Sequence, residues 1–246
     1  MNTLSLSRAP ALPAAPMSVS GLPRRGLGVL LIAEGLLSLA PVVVLGPAIG
    51  WPASLDNPAA QQLAAIARQP DALALGYGLY LLYSVMIAPL MIGLAVRFCG
   101  GLQHPLGASV AAFGALSALA RSLGILRWLT VMPALASAHA AADPAARAQI
   151  ELLFDALNSY GGGIGEVLGV SLFMAFAMGL LAIGAWRTAA MPRWLAAAAF
   201  LAALGLAALA LPNLGIAVDM SAAAAVSLLS LWMLCAGVWL LRAPRG

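Results

Sequence analysis

RRGLGVLLIAEGLLSLAPVVVLGPAI, residues 24–49, decides the class of this protein. Behind two arginines, the block 26–49 carries a single ionisable side chain, Glu34. A helix needs about 20 apolar residues to cross roughly 30 Å of hydrocarbon, and this block supplies them. It is too long for the short apolar core of a cleaved leader, and further blocks of the same kind follow it. Working outward, comparable stretches run over about residues 72–98, 106–134, 162–186, 191–211 and 221–241.

The expected fold is therefore all-α: a polytopic transmembrane helix bundle of about six spans, with short amphipathic helices on its outer side. A Pro-, Ser- and Ala-rich tail, residues 1–24, precedes one transmembrane domain over residues 25–246 and reads as disordered and cytoplasmic. Composition agrees, since 63% hydrophobic residues and 8% charge exceed what a soluble domain can hide from water. The mean hydropathy is +1.00.

Charge sets the orientation. All 12 basic residues are arginine. In a six-span arrangement Arg8, Arg24, Arg25, Arg97, Arg187, Arg193, Arg242 and Arg245 fall on one side. The other side has only Arg68 and Arg147, together with Asp56, Asp71, Asp143, Glu151, Asp155 and Asp219. Arginine-rich loops resist translocation, which predicts a cytoplasmic (inner) membrane protein with both termini in the cytoplasm. Trp51, Trp186, Trp194 and Trp239 fall at the expected interfaces. Scattered between apolar blocks, the arginines form no nucleic-acid-binding patch.

Two outer connections carry helix signals. Asn57–Pro58 and Asp143–Pro144 each place a capping residue before a proline suited to the first helical position. Beyond the second, Ile150, Leu153, Phe154 and Leu157 share one face opposite Arg147, Glu151 and Asp155, describing an amphipathic surface helix. A weaker version contains Leu63 and Ile66. Leu27, Gly28, Ala33, Gly35 and Ser38 also match Leu106, Gly107, Ala112, Gly114 and Ser117 at constant offset, hinting at a repeated unit of span, outer helix and span.

Ionisable side chains inside spans are the candidate site residues: Glu34, Arg121, Arg127 and Glu166. Each costs about 2.5 to 3.5 kcal/mol at a span centre and needs compensation. Helical rise places Arg127 and Glu166 at similar depth in the outer half, where they can pair. Arg121 lies near the midplane and Glu34 in the inner half, and the turn of the helix directs Arg121 and Arg127 to different neighbours. Two readings stay open. The charges form a structural lock between spans, or they line a polar cavity for an anionic headgroup, substrate or coupling ion.

The run Tyr160-Gly-Gly-Gly-Ile-Gly-Glu-Val-Leu-Gly169 is the most distinctive in the chain. Gly161, Gly165 and Gly169 recur every fourth residue and suit close helix packing. Alternatively, the glycines unwind the start of the fourth span and expose backbone N–H groups to an anion. Tyr77, Tyr80 and Ser84 form a stripe on the second span that, with Tyr160, would line an outward vestibule. Pro41, Pro47 and Pro89 interrupt spans and predict kinks.

Chemistry-bearing motifs point away from catalysis. Cys99 and Cys235 sit in no CxxC pattern, and His104 and His139 lie on opposite sides, so no metal site and no cofactor is expected. No zinc-protease, nucleophile-elbow, phosphate-loop or dinucleotide motif occurs. The expected partners are the lipid bilayer and a lipid or small-molecule ligand, with a homo-oligomer or membrane-protein partner left open. Nucleic acid is not among them.

With the spans laid out, Arg25-Gly-Leu-Gly28, the Tyr160–Gly169 run and Pro192-Arg-Trp-Leu195 carry a resemblance to a bacterial family of multi-pass membrane proteins defined as a domain of unknown function. The resemblance implies six spans and brings no catalytic residues. The leading expectation is a non-enzymatic accessory, sensor or scaffold component of the membrane. A small transporter or lipophilic-ligand binder is the alternative, and an intramembrane lipid-modifying enzyme the third.

Overall fold

A computed structural model of the chain describes residues 23–218 and 220–242. Most of the predicted tail lies outside them. Pro23 already caps the first helix, whose first residue is Arg24.

Among the described residues there are helices and turns but no strand. The first span is α1 (Arg24–Leu37) and α2 (Ala40–Ile49), followed by the short α3 (Ala59–Arg68) and the long α4 (Pro70–Phe98). Then come α5 (Pro105–Leu129), α6 (Val131–Ala141) and α7 (Pro144–Gly162). A π-helical stretch, Gly163–Phe173, leads from α7 into α8 (Met174–Thr188), before α9 (Arg193–Ala208) and α10 (Ala222–Arg242).

Five of these units are long and apolar enough to cross a bilayer: Arg24–Ile49, Pro70–Phe98, Pro105–Ala141, Pro144–Thr188 and Ala222–Arg242. The block predicted over 191–211 forms α9, apolar but only 16 residues long. At 1.5 Å per residue that is about 24 Å, shorter than the other units, yet α9 carries the chain back across the bundle, since α10 after it ends with Trp239 beside Arg24 at the start of α1. Pro192 starts it, and a 3₁₀ turn, Leu211–Leu214, follows its end.

Four local expectations change. The first span is not one helix: Pro41 has no N–H for Leu37 and its ring crowds that carbonyl, so α1 ends there and α2 begins anew. The third block breaks after Leu129 in the same relation to Pro133 and resumes as α6. The amphipathic outer helix is not a separate surface element. α7, the π stretch and α8 form one rod of 45 residues. Its cap is as expected, Asp143 accepting from the Ala146 N–H at 2.9 Å. The Asn57 cap is displaced, because α3 starts one residue later with Pro58 outside it and no side-chain cap. Gln62 fastens this start instead, donating to the Leu55 and Asn57 carbonyls at 3.1 and 2.7 Å.

The order span, break, outer helix, span thus occurs twice, in α1–α4 and in α5–α8. At one end the arginine-bearing termini meet. Thr188 donates to the Phe98 carbonyl at 3.1 Å, and the Arg24 and Arg193 guanidiniums lie over Trp239 and Trp186. At the opposite end α3, α6 and α7 pack over the bundle, and His139 meets Glu151 at 2.8 Å.

One apolar core runs through the bundle from Leu27 and Phe98 to Val170 and Trp232. A second lies under α3, α6 and α7 around Leu63, Tyr77, Trp128, Met132 and Phe154. Large apolar side chains such as Val43, Leu119, Phe176, Leu201 and Leu231 face outward, as lipid-facing residues do. This is a multi-pass membrane protein.

Candidate functional site

α5 carries the site. Close packing of α5 against the π stretch lets the arginines reach sideways past it: a Cβ on Gly124 would stand 2.7 Å from the Gly165 Cα. The same contact at Gly169 would put a Cβ 2.6 Å from the Arg121 Cγ, and at Gly161 one 2.7 Å from the Arg127 Cδ. Ser117 adds a buried bond to the Gly169 carbonyl at 2.7 Å. Gly161, Gly165 and Gly169 therefore face α5, and two of them make room for the arginine stems. The glycines do not unwind the chain, since Gly163 keeps right-handed helical angles.

In front of α5 lies a cleft of about 50 Å³. Its walls are Tyr77 and Tyr80 of α4 on one side and Gly165, Glu166 and Val170 of the π stretch on the other. Trp51 and Leu55, from the connection between α2 and α3, complete the lining, and Arg121, Gly124, Ile125, Arg127 and Trp128 of α5 form the back. Aromatic contacts knit the walls. Tyr77 stacks on Trp128 with centroids 4.9 Å apart, Trp51 meets Tyr80 edge-on at 6.0 Å, and Tyr80 stacks on Tyr83 at 6.1 Å.

Arg121 is deeply buried, only 2% exposed. Its guanidinium lies 4.6 Å from the Tyr83 ring centroid, a cation–π contact. Tyr80 and Tyr83 flank it without meeting hydrogen-bond geometry, so Nε and both terminal nitrogens have no acceptor among the described residues. Arg127 is half-buried and held: Nε donates to Asn158 Oδ1 at 3.2 Å, and a terminal nitrogen donates to the Gly124 carbonyl. Glu166 is exposed at the rim.

Arg127 and Glu166 line one cleft but form no ion pair; among the described residues the side-chain contact of that kind is His139–Glu151. Arg127 turns instead to Asn158 and the α5 backbone, which satisfy its donors locally. Arg121 and Arg127 do contact different neighbours, yet both border the same cleft, because long side chains bridge the angle between their Cα positions. Glu34, 1% exposed on α1, is near enough to Arg121 for their charges to interact, again without a salt bridge.

Two vestibule candidates fall elsewhere. Ser84 is buried away from the cleft lining, and Tyr160 is 74% exposed on the outside of the rod. Trp51, Leu55, Ile125, Trp128 and Val170 belong to the lining but are absent from the sequence-derived set. Trp51 reads from sequence as an interfacial tryptophan, and only its fold onto Tyr80 reveals a wall.

An all-α multi-pass membrane protein with Arg121, Arg127 and Glu166 around one cleft is the class defined by fold and site. The chain belongs to the family described as Domain of unknown function (DUF4386), whose model matches residues 27–243. Neither curated proteins nor solved structures yield a match.

Proposed function

We propose that this protein is a ligand-binding membrane component, a sensor, carrier or small transporter, whose cleft opens toward the outer face of the cytoplasmic membrane. The observation that carries this reading is Arg121, buried at the back of the cleft with its donors unpartnered. A lock built from ion pairs joins its charges directly, because an isolated buried charge is expensive. Here the charges stand apart around a shared space, which suits an exchangeable ligand better than a permanent bond.

Orientation follows the arginines. The end bearing Arg24, Arg97, Arg187 and Arg193 is placed in the cytoplasm, with both termini. The cleft, roofed by Trp51 and Leu55 near the acidic end, then faces outward.

Arg121→Gln and Glu166→Gln test the reading in detergent, with melting temperature and native mass spectrometry read together. A binding cleft gives folded variants, of which Arg121→Gln loses a co-purifying ligand retained by the unmodified protein and Glu166→Gln changes which ligand is kept. A lock gives unfolding in both variants, and that result would overturn the proposal.

A further inference from the structure

We infer that the cleft takes the headgroup of an aminophospholipid, of the phosphatidylethanolamine kind, admitted sideways from the outer leaflet. The inference rests on the reading of the cleft as a binding site and adds the chemical class of its occupant.

The way in follows from the break in the first span. Below the break α1 lies tightly along α10: a Cβ on Gly28 would stand 3.1 Å from the Gly237 carbonyl, and Ser38 meets Ser230 at 2.8 Å. Above it α2 leaves α10 and packs on α4. α4 in turn packs on α5 and α8 but makes no comparable contact with the π stretch. The side of the cleft facing away from α5 is therefore the weakly closed one, and exposed Glu166 stands on its rim. Val42 and Val43 of α2 are exposed apolar side chains on the same half of the molecule, suited to acyl chains that remain in the bilayer.

Charge is graded along the cleft. Two guanidiniums, Arg121 and Arg127, form its back, while Glu166 occupies the rim with Asp56 close enough to add its negative field. The complementary ligand is a zwitterion whose phosphate sits on the arginines while both of its substituents, the glycerol and the ammonium-bearing arm, turn back toward the mouth. Guanidinium forks bind phosphate oxygens in pairs, and Arg121, flanked by Tyr80 and Tyr83, has no acceptor in hydrogen-bond geometry among the described residues. An ammonium group would meet the Glu166 carboxylate and the rings of Trp51 and Tyr80. Size agrees, since about 50 Å³ admits a phosphate-sized group. Whole organic ligands use pockets of about 300 Å³ or more, so glycerol and chains stay outside.

The test uses the full-length protein in a neutral detergent. Melting temperature and native mass spectrometry are followed with short-chain phosphatidylethanolamine, phosphatidylglycerol, diacylglycerol or inorganic phosphate. Phosphatidylethanolamine is expected to give a one-to-one adduct and a clear rise in melting temperature, with phosphatidylglycerol weaker and the other two inert. Arg121→Lys keeps the charge but not the fork, and should weaken the adduct by about tenfold or more. Glu166→Gln should erase the preference for the amine while leaving phosphatidylglycerol binding intact.

Equal binding of phosphatidylethanolamine and phosphatidylglycerol, unmoved by Glu166→Gln, overturns the aminophospholipid assignment but leaves an anion cleft. Arg121-dependent binding of inorganic phosphate alone overturns the lipid and keeps the binding site. Equal stabilisation by diacylglycerol, or indifference of every arm to Arg121→Lys, overturns the inference; no binding at all removes the binding-site reading with it.

Discussion

Arg121 reaches the interior by threading past Gly169, and Gly124 lies against Gly165 with hardly more than backbone between them. Gly124→Ala therefore forces two backbones apart, and we expect a loss of about 1–3 kcal/mol in a detergent denaturation series. Gly163→Ala is the matched control: a Cβ there meets nothing within 4 Å, so the change should stay within about 0.5 kcal/mol. Cys99, just beyond the end of α4, is buried, and burial pushes its thiol up to about 11. Since the thiolate is the reactive form, maleimide labelling of Cys99 should be slow at neutral pH and accelerate as pH rises toward that value. Comparable rates at pH 7 and pH 10 would contradict its burial. At this scale the sequence already named the buried arginines, because an ionisable residue in a span is conspicuous whatever surrounds it. It could not show that Ser84 and Tyr160 miss the cleft, since helical spacing gives a face but not the neighbour facing it.

Elements here are defined as much by their interruptions as by their lengths. Prolines end α1 and α5 ahead of schedule, and the glycine run keeps the chain helical but carries a π-helical stretch through the middle of a 45-residue unit. π-Helical hydrogen bonding is rarer and less favourable than α-helical, and such stretches often mark functional sites. Amide exchange should accordingly be faster over residues 163–173 than in α8; equal protection would argue that the stretch is as firm as its flanks. At the start of the rod, Asp143→Ala removes the side-chain cap on α7 and should cost about 1 kcal/mol, read as a lower melting temperature. The cap-then-proline signal foretold where α7 begins. It could not foretell that α7 would run on into the membrane, because nothing between Asn158 and Ile164 is incompatible with either a turn or a helix.

For the molecule as a whole, the arrangement of ends is the decisive feature. Single cysteines introduced at Ala142 and Ala189, in a background lacking Cys99 and Cys235, should react with impermeant reagents from opposite sides of sealed vesicles. Labelling of both from one side would refute the proposed orientation and the threading of the intervening rod. The sequence by itself determined the solvent: a chain with so few charges, grouped in blocks of bilayer length and flanked by arginine, has to be folded in lipid. Tertiary structure alone decided that α9 is short, that α2 leaves α10 for α4, and that the arginines and Glu166 surround a space instead of joining. The physical reason is that transfer into lipid is a property each segment has alone, whereas a cleft depends on which helices approach closely, and that is set by glycine contacts and proline breaks between segments distant in the chain.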